Sequence, residues 1–132
     1  MDMLYEDELE FTYAFMSYDG GSYGDIVRES ELINMPLKLY QETHHKGTLP
    51  STYGGMSVDC DNIIVQAIKN AEDNNGYVLR AFETCGKSCT ATIDLKFIGR
   101  QVMLDFKPQE FKTIFVPFDG GEIKEILLTE LG

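Results

Sequence analysis

From Asn62 onward the chain is cut into short apolar stretches, each closed by turn-forming residues. Apolar residues recur at every second position, which lines one face of a strand but not one face of a helix. Cys89, Ala91, Ile93, Leu95 and Phe97 alternate with Thr90, Thr92, Asp94 and Lys96, the pattern of a strand with one buried face. Val102, Leu104 and Phe106 repeat it against Met103, Asp105 and Lys107. Residues 62–69 and 77–84 are apolar on both faces, with Ile63, Val65 and Ala67 opposed to Ile64 and Ile68 in the first. Residues 111–118 form another strand, and 122–131 read as a last extended segment because Thr129 adds little to a helix. The breaks are Asp73-Asn74-Asn75-Gly76, Gly86-Lys87-Ser88, Gly99-Arg100, Pro108-Gln109-Glu110 and Asp119-Gly120-Gly121. In the first of them Asn75-Gly76 suits positive φ.

The earlier half is less regular. Leu9, Phe11, Tyr13 and Phe15 alternate with Glu10, Thr12 and Ala14, which predicts a half-buried strand ended by Tyr18-Asp19-Gly20-Gly21. Ile26, Val27, Leu32 and Ile33 mark a short amphipathic helix with Arg28, Glu29 and Glu31 on its wet face. Asn34-Met35-Pro36 stops it, since a residue before proline is pushed out of the helical region. Leu37, Leu39 and Gln41 suggest a short strand before a polar loop. Short strands spaced by about ten residues predict a mainly all-β fold. The expected architecture is an antiparallel β-sandwich of seven to eight strands with a helical or irregular segment near 22–35, one domain over residues 1–132.

Charge excludes some partners. The 22 acidic residues against 11 basic ones leave a net charge of −11. Nucleic acid and anionic membrane surfaces need the opposite sign. No apolar run approaches the ~20 residues of a membrane span. The start, MDMLYEDELEF, is acidic where a secretory signal is basic and then apolar, and no Asn-x-Ser/Thr motif occurs. Cys60, Cys85 and Cys89 make an odd number, so a reducing, cytoplasmic setting is expected. Cys85 and Cys89 flank a turn, which leaves their pairing open.

Motifs of chemistry are sparse. Gly86-Lys87-Ser88 lacks the glycine of a phosphate loop, since Ala81 stands in its place, and reads as a hairpin turn. Asp59-Cys60-Asp61-Asn62 begins like a calcium loop but lacks its glycine and closing glutamate, so turn acids capping a strand are expected. His44, His45 and the cysteines lack zinc-site spacing. No acid stands apart as a glycosidase carboxylate. Arg80 and Glu83 are the exception, being charges in an otherwise apolar strand. Their odd separation puts them on opposite faces. Arg80 shares a face with Val78 and Phe82, so it is expected to pair with a carboxylate such as Glu72 or Glu110, or to contact a ligand or partner.

Four segments carry a resemblance. Lys69-Asn70-Ala71-Glu72-Asp73 followed by the strand holding Arg80 and Glu83 resembles the "K-x-A-E-D … R-x-x-E" strand pair of family 38 α-mannosidases. Pro108-Gln109-Glu110-Phe111-Lys112-Thr113 is similar to their "P-x-E-I-K-T" segment, with Phe111 in the isoleucine place. Glu10-Phe11-Thr12-Tyr13-Ala14 resembles "E-F-T-Y-A", and Asn34-Met35-Pro36-Leu37 resembles "N-x-P-L". The resemblance falls on the C-terminal β-domain of those retaining enzymes, which hydrolyse terminal α-mannosyl residues. It implies a non-catalytic fragment of a longer chain, itself inactive, with the nucleophile and zinc in the parent's barrel and no cofactor of its own. The expected partners are the remaining domains of the parent, and Arg80, Glu83, Glu72, Glu110 and Lys112 are the bracing or domain-docking candidates. The alternative is a freestanding carbohydrate-binding or protein-binding module. Against it stand the absence of Trp and the expectation that most Tyr and Phe side chains point inward.

Overall fold

The computed structural model describes residues 10–20 and 23–129. Helix α1 (Tyr23–Asn34) precedes strands β1 (Ser57–Val58), β2 (Ile63–Asn70), β3 (Gly76–Glu83), β4 (Cys89–Leu95), β5 (Arg100–Phe106), β6 (Phe111–Pro117) and β7 (Lys124–Ile126). They form two antiparallel sheets, one in the order β1-β4-β5 and one in the order β2-β3-β6-β7. The expected β-sandwich is therefore the observed one. The last segment pairs over only three residues, Lys124–Ile126.

The alternation along β4 explains how the layers close. Ala91, Ile93 and Leu95 are buried against Leu79 and Ala81 of β3, Ile114 and Val116 of β6, and Phe106 of β5. Each Leu or Ile buried this way contributes on the order of 1.5–3 kcal/mol. Phe97 falls past the end of β4 and is partly exposed.

Two details of β2 and β3 depart from the sequence reading. A bulge between Val65 and Ala67 shifts the register, so Val65 opposes Ala81 while Ala67 opposes Arg80. Ala67 thus leaves the face it was expected to share with Ile63 and Val65, because one extra residue reverses the alternation. The positive φ of the β2–β3 turn is at Asn74, not at Asn75 or Gly76. Gly76 is needed for another reason: a Cβ there would lie 2.5 Å from the Phe115 ring and 2.6 Å from the Val116 carbonyl.

Helix α1 spans the expected segment and stops at Asn34, before Met35-Pro36. Asp25 lies in its first turn, where the helix dipole favours an acid. Arg28 donates to the Asp61 carbonyl and tethers the helix to the β1–β2 turn.

The two strands expected before residue 57 do not form. Residues 10–15 carry no secondary structure, and Leu9 lies outside the described residues. Phe11 is 83% and Phe15 93% exposed. Leu37 and Leu39 are 93% and 95% exposed in a segment without secondary structure. The alternation is real, since the Phe11, Tyr13 and Phe15 rings lie side by side at 6.2 and 5.7 Å. A strand, however, needs a neighbour for its backbone groups and a surface for its apolar face. The sandwich supplies neither to these segments.

Candidate functional site

The most developed polar arrangement surrounds Glu83, the last residue of β3. Glu83 lies on the inner face opposite Ile63 and is 2% exposed. Oε1 accepts from the Cys85 N–H at 2.7 Å and the Asn62 side-chain amide at 2.9 Å. Oε2 accepts from the backbone N–H groups of Gly86 at 2.7 Å, Lys87 at 3.1 Å and Gln109 at 2.8 Å. One carboxylate thereby joins the start of β2, the β3–β4 turn and the β5–β6 turn. Gly86 and Gln109 both have positive φ, which turns their N–H groups inward. Burial alone would push the Glu83 carboxyl up. The N–H groups of Gln109, Cys85 and Gly86, with the Asn62 amide, outweigh that and hold it below the usual carboxylate range.

This geometry decides the chemistry of the Gly86-Lys87-Ser88 turn. Its amides form the kind of concave donor array that binds anions, and the chain's own carboxylate occupies it. A buried, ionised and fully hydrogen-bonded carboxylate is poorly suited to deliver a proton near neutral pH. Glu83 braces the fold.

Arg80 points the other way, as its odd spacing from Glu83 requires. It shares the outer face of the four-stranded sheet with Ala67 and Thr113. Its guanidinium donates to the Leu128 carbonyl at 3.1 Å, tying the segment after β7 across that face. Glu72 is exposed at the β2–β3 turn. Glu110 accepts from the Lys107 N–H at 2.8 Å and lies 3.7 Å from Lys112. The Lys107 N–H, with Lys112 and Lys107 nearby, holds the Glu110 carboxyl low against a smaller opposing push from desolvation.

Lys112 faces inward at the sandwich edge, opposite Ala81. Its ammonium meets Glu125 at 2.6 Å and lies 5.9 Å from the centre of the Phe106 ring. Desolvation would lower its pKa, but Glu125 and Glu110 outweigh it and raise the value. Of the five candidates, Glu83, Glu110 and Lys112 adjoin, since the Glu83 N–H donates to the Glu110 carbonyl at 2.9 Å and Lys112 lies 3.7 Å from the Glu110 carboxylate, while Arg80 and Glu72 lie elsewhere. Asn62, Gln109, Glu125 and Leu128 complete these arrangements and were missed. An acid three residues before the glycine of a turn was the available signal for the cage.

The remaining motifs are structural. Asp59 accepts from the Thr92 N–H at 2.7 Å, which lowers its pKa and caps the β1–β4 pairing. No disulfide joins Cys60, Cys85 and Cys89. The Cys60 thiol donates to the Thr90 carbonyl at 3.2 Å, and burial, with Cys89 beside it, raises that thiol to about 11. Among the described residues, no group of three or more His, Cys, Asp or Glu side chains could hold a metal ion. No described helix is long and apolar enough to cross a membrane.

Two antiparallel layers with an internal carboxylate at one end define a β-sandwich domain. The family model described as the glycosyl hydrolases family 38 C-terminal beta sandwich domain matches residues 62–130, a little over half of the chain, and the chain belongs to that family. Neither a curated protein nor a solved structure matches it. The match contains the segments around Glu72–Glu83 and Glu110–Lys112, whereas the Glu10–Ala14 and Asn34–Leu37 resemblances lie outside it.

Proposed function

We propose that this chain is the non-catalytic C-terminal β-sandwich of a retaining α-mannosidase, supporting a catalytic barrel carried elsewhere in the parent protein. Family membership supports this reading, and one observation carries its docking part. A closed sandwich is joined to a segment whose apolar side chains, from Phe11 and Phe15 to Leu37 and Leu39, are almost wholly exposed. A patch of that kind marks a surface that a neighbour covers. The parent's other domains are the proposed cover for residues 10–50, and the zinc and the nucleophile are the barrel's. The odd cysteine count and the lack of a glycosylation motif support a cytoplasmic setting. Incubating the chain with a chromogenic α-mannoside and added zinc tests the assignment. No product is expected, and zinc-dependent turnover contradicts it.

A second reading has one observation in its favour. The aromatic side chains are less inward than the sequence suggested, with Tyr13, Tyr23, Tyr40 and Tyr53 among the exposed ones. A freestanding carbohydrate-binding module would use such rings as stacking platforms. Calorimetric titration with mannose oligomers separates the two, since saturable binding by the isolated chain favours the module.

A further inference from the structure

We propose that a cavity on the outer face of the four-stranded sheet is a docking site for an arginine side chain presented by a partner protein. The cavity has a volume of about 340 Å³. Val78, Phe115 and Ile126 line its floor, and Glu72, Asp73 and Asn75 of the β2–β3 turn line its rim. Val78 and Phe115 are a cross-strand pair, so the floor is rigid sheet. The missing side chain of Gly76 lets the Phe115 ring lie directly beneath the turn. Asn75 donates twice to the Asp73 carboxylate, through its backbone N–H and its side-chain amide, and so fixes one wall of the rim.

The lining selects the occupant. Both charged residues that line the cavity are acidic, and no base does. Lys69 and Lys124 stand at the two ends of the rung that holds Val78 and Phe115, outside the lining. An apolar floor below an anionic rim matches an amphipathic cation, whose methylene stem is buried while its charged tip meets the acids. Arginine fits best, because its planar head stacks on an aromatic face and its fork of donors can serve two carboxylates. A sugar ring prefers a broad aromatic platform, whereas two of the three floor residues are branched aliphatics. The net charge of −11 steers a basic partner surface toward the domain. The site uses none of residues 10–50 and stands whether or not the parent enzyme is a mannosidase.

Titration of the ¹⁵N-labelled chain with Nα-acetyl-arginine amide, followed by two-dimensional NMR, tests the proposal. Saturable shifts are expected at the amides of residues 71–78, 115 and 126, with a dissociation constant of roughly millimolar order for a single side chain. The double variant Glu72→Gln, Asp73→Asn changes exposed side chains and should keep the spectrum of the folded chain. It is expected to bind about tenfold more weakly, since each factor of ten is ~1.4 kcal/mol. Nα-acetyl-norleucine amide, with a stem but no charge, is expected to shift the same amides less. Absence of saturable shifts, undiminished binding by the double variant, or shifts scattered over all surface acids overturns the proposal. So does movement of these amides by methyl α-mannoside in place of the arginine probe, which would reassign the cavity to a sugar.

Discussion

Replacing Glu83 with Gln should destabilise the sandwich more than its near-identical shape suggests. The carboxylate takes five donors, two on Oε1 and three on Oε2. An amide NH2 in the Oε2 position would confront three backbone N–H groups that cannot rotate away. In the Oε1 position it confronts the Cys85 N–H and the Asn62 amide, and an Asn62 flip that presents its oxygen gives up the bond of that amide to the Lys87 carbonyl. The cheaper arrangement therefore still leaves the Cys85 N–H without an acceptor. It also removes the charge from the three bonds to Oε2. One unsatisfied buried donor costs about 1–3 kcal/mol, and loss of charge assistance adds to it, so about 2–4 kcal/mol is expected in all. For a cooperative unit of this size that lowers Tm by on the order of 10–25 °C. Urea denaturation of both proteins at pH 7 gives the difference directly. The same pair shows a pH signature. Because the folded-state pKa of Glu83 lies below its unfolded value, its ionised form adds stability above the unfolded carboxylate pKa of ~4.3. That contribution fades as pH falls through the folded-state value, so the gap between wild type and variant should narrow under acid. A difference under ~0.5 kcal/mol at pH 7, or one unchanged on acidification, refutes the bracing role, because a surface carboxylate behaves that way.

Other outcomes follow from the same geometry. Gly76→Ala drives a methyl into the Phe115 ring and the Val116 carbonyl, so its denaturation midpoint should fall, by about 1–3 kcal/mol of stability. Ile114→Ala empties a fully buried position between the layers and should cost about 2–5 kcal/mol by chemical denaturation. With its thiol raised to about 11, Cys60 should react with iodoacetamide at pH 8 far more slowly in the folded chain than in urea, by roughly a hundredfold, as read by peptide mass spectrometry.

The sheet region was legible because its signals are local. Alternation along β4 and β5 and the turn residues between them specify strand, face and hairpin together, and adjacent strands pair with adjacent strands. The bulge in β2 was not legible, since an inserted residue leaves no mark in a stretch already apolar on both faces. The opposed directions of Arg80 and Glu83 followed from spacing alone. Their partners did not, because a carbonyl 48 residues away and a backbone amide 26 residues away carry no side-chain signature. The alternation of Phe11, Tyr13 and Phe15 was read as a strand, and no strand forms there. The inference that it was half-buried failed, because burial depends on a neighbour and the sandwich offers none.

Amide hydrogen exchange on the intact chain followed by mass spectrometry probes the central physical claim most directly: a self-sufficient sandwich held at one end by an internal carboxylate, with its preceding segment left open for a partner. The amides of β3, β4 and β6, together with those of Cys85, Gly86 and Gln109, should exchange slowly, and residues 10–20 and 35–50 should exchange within seconds. Protection of residues 10–20 comparable to that of β3, or rapid exchange at the three amides that face Glu83, would contradict it.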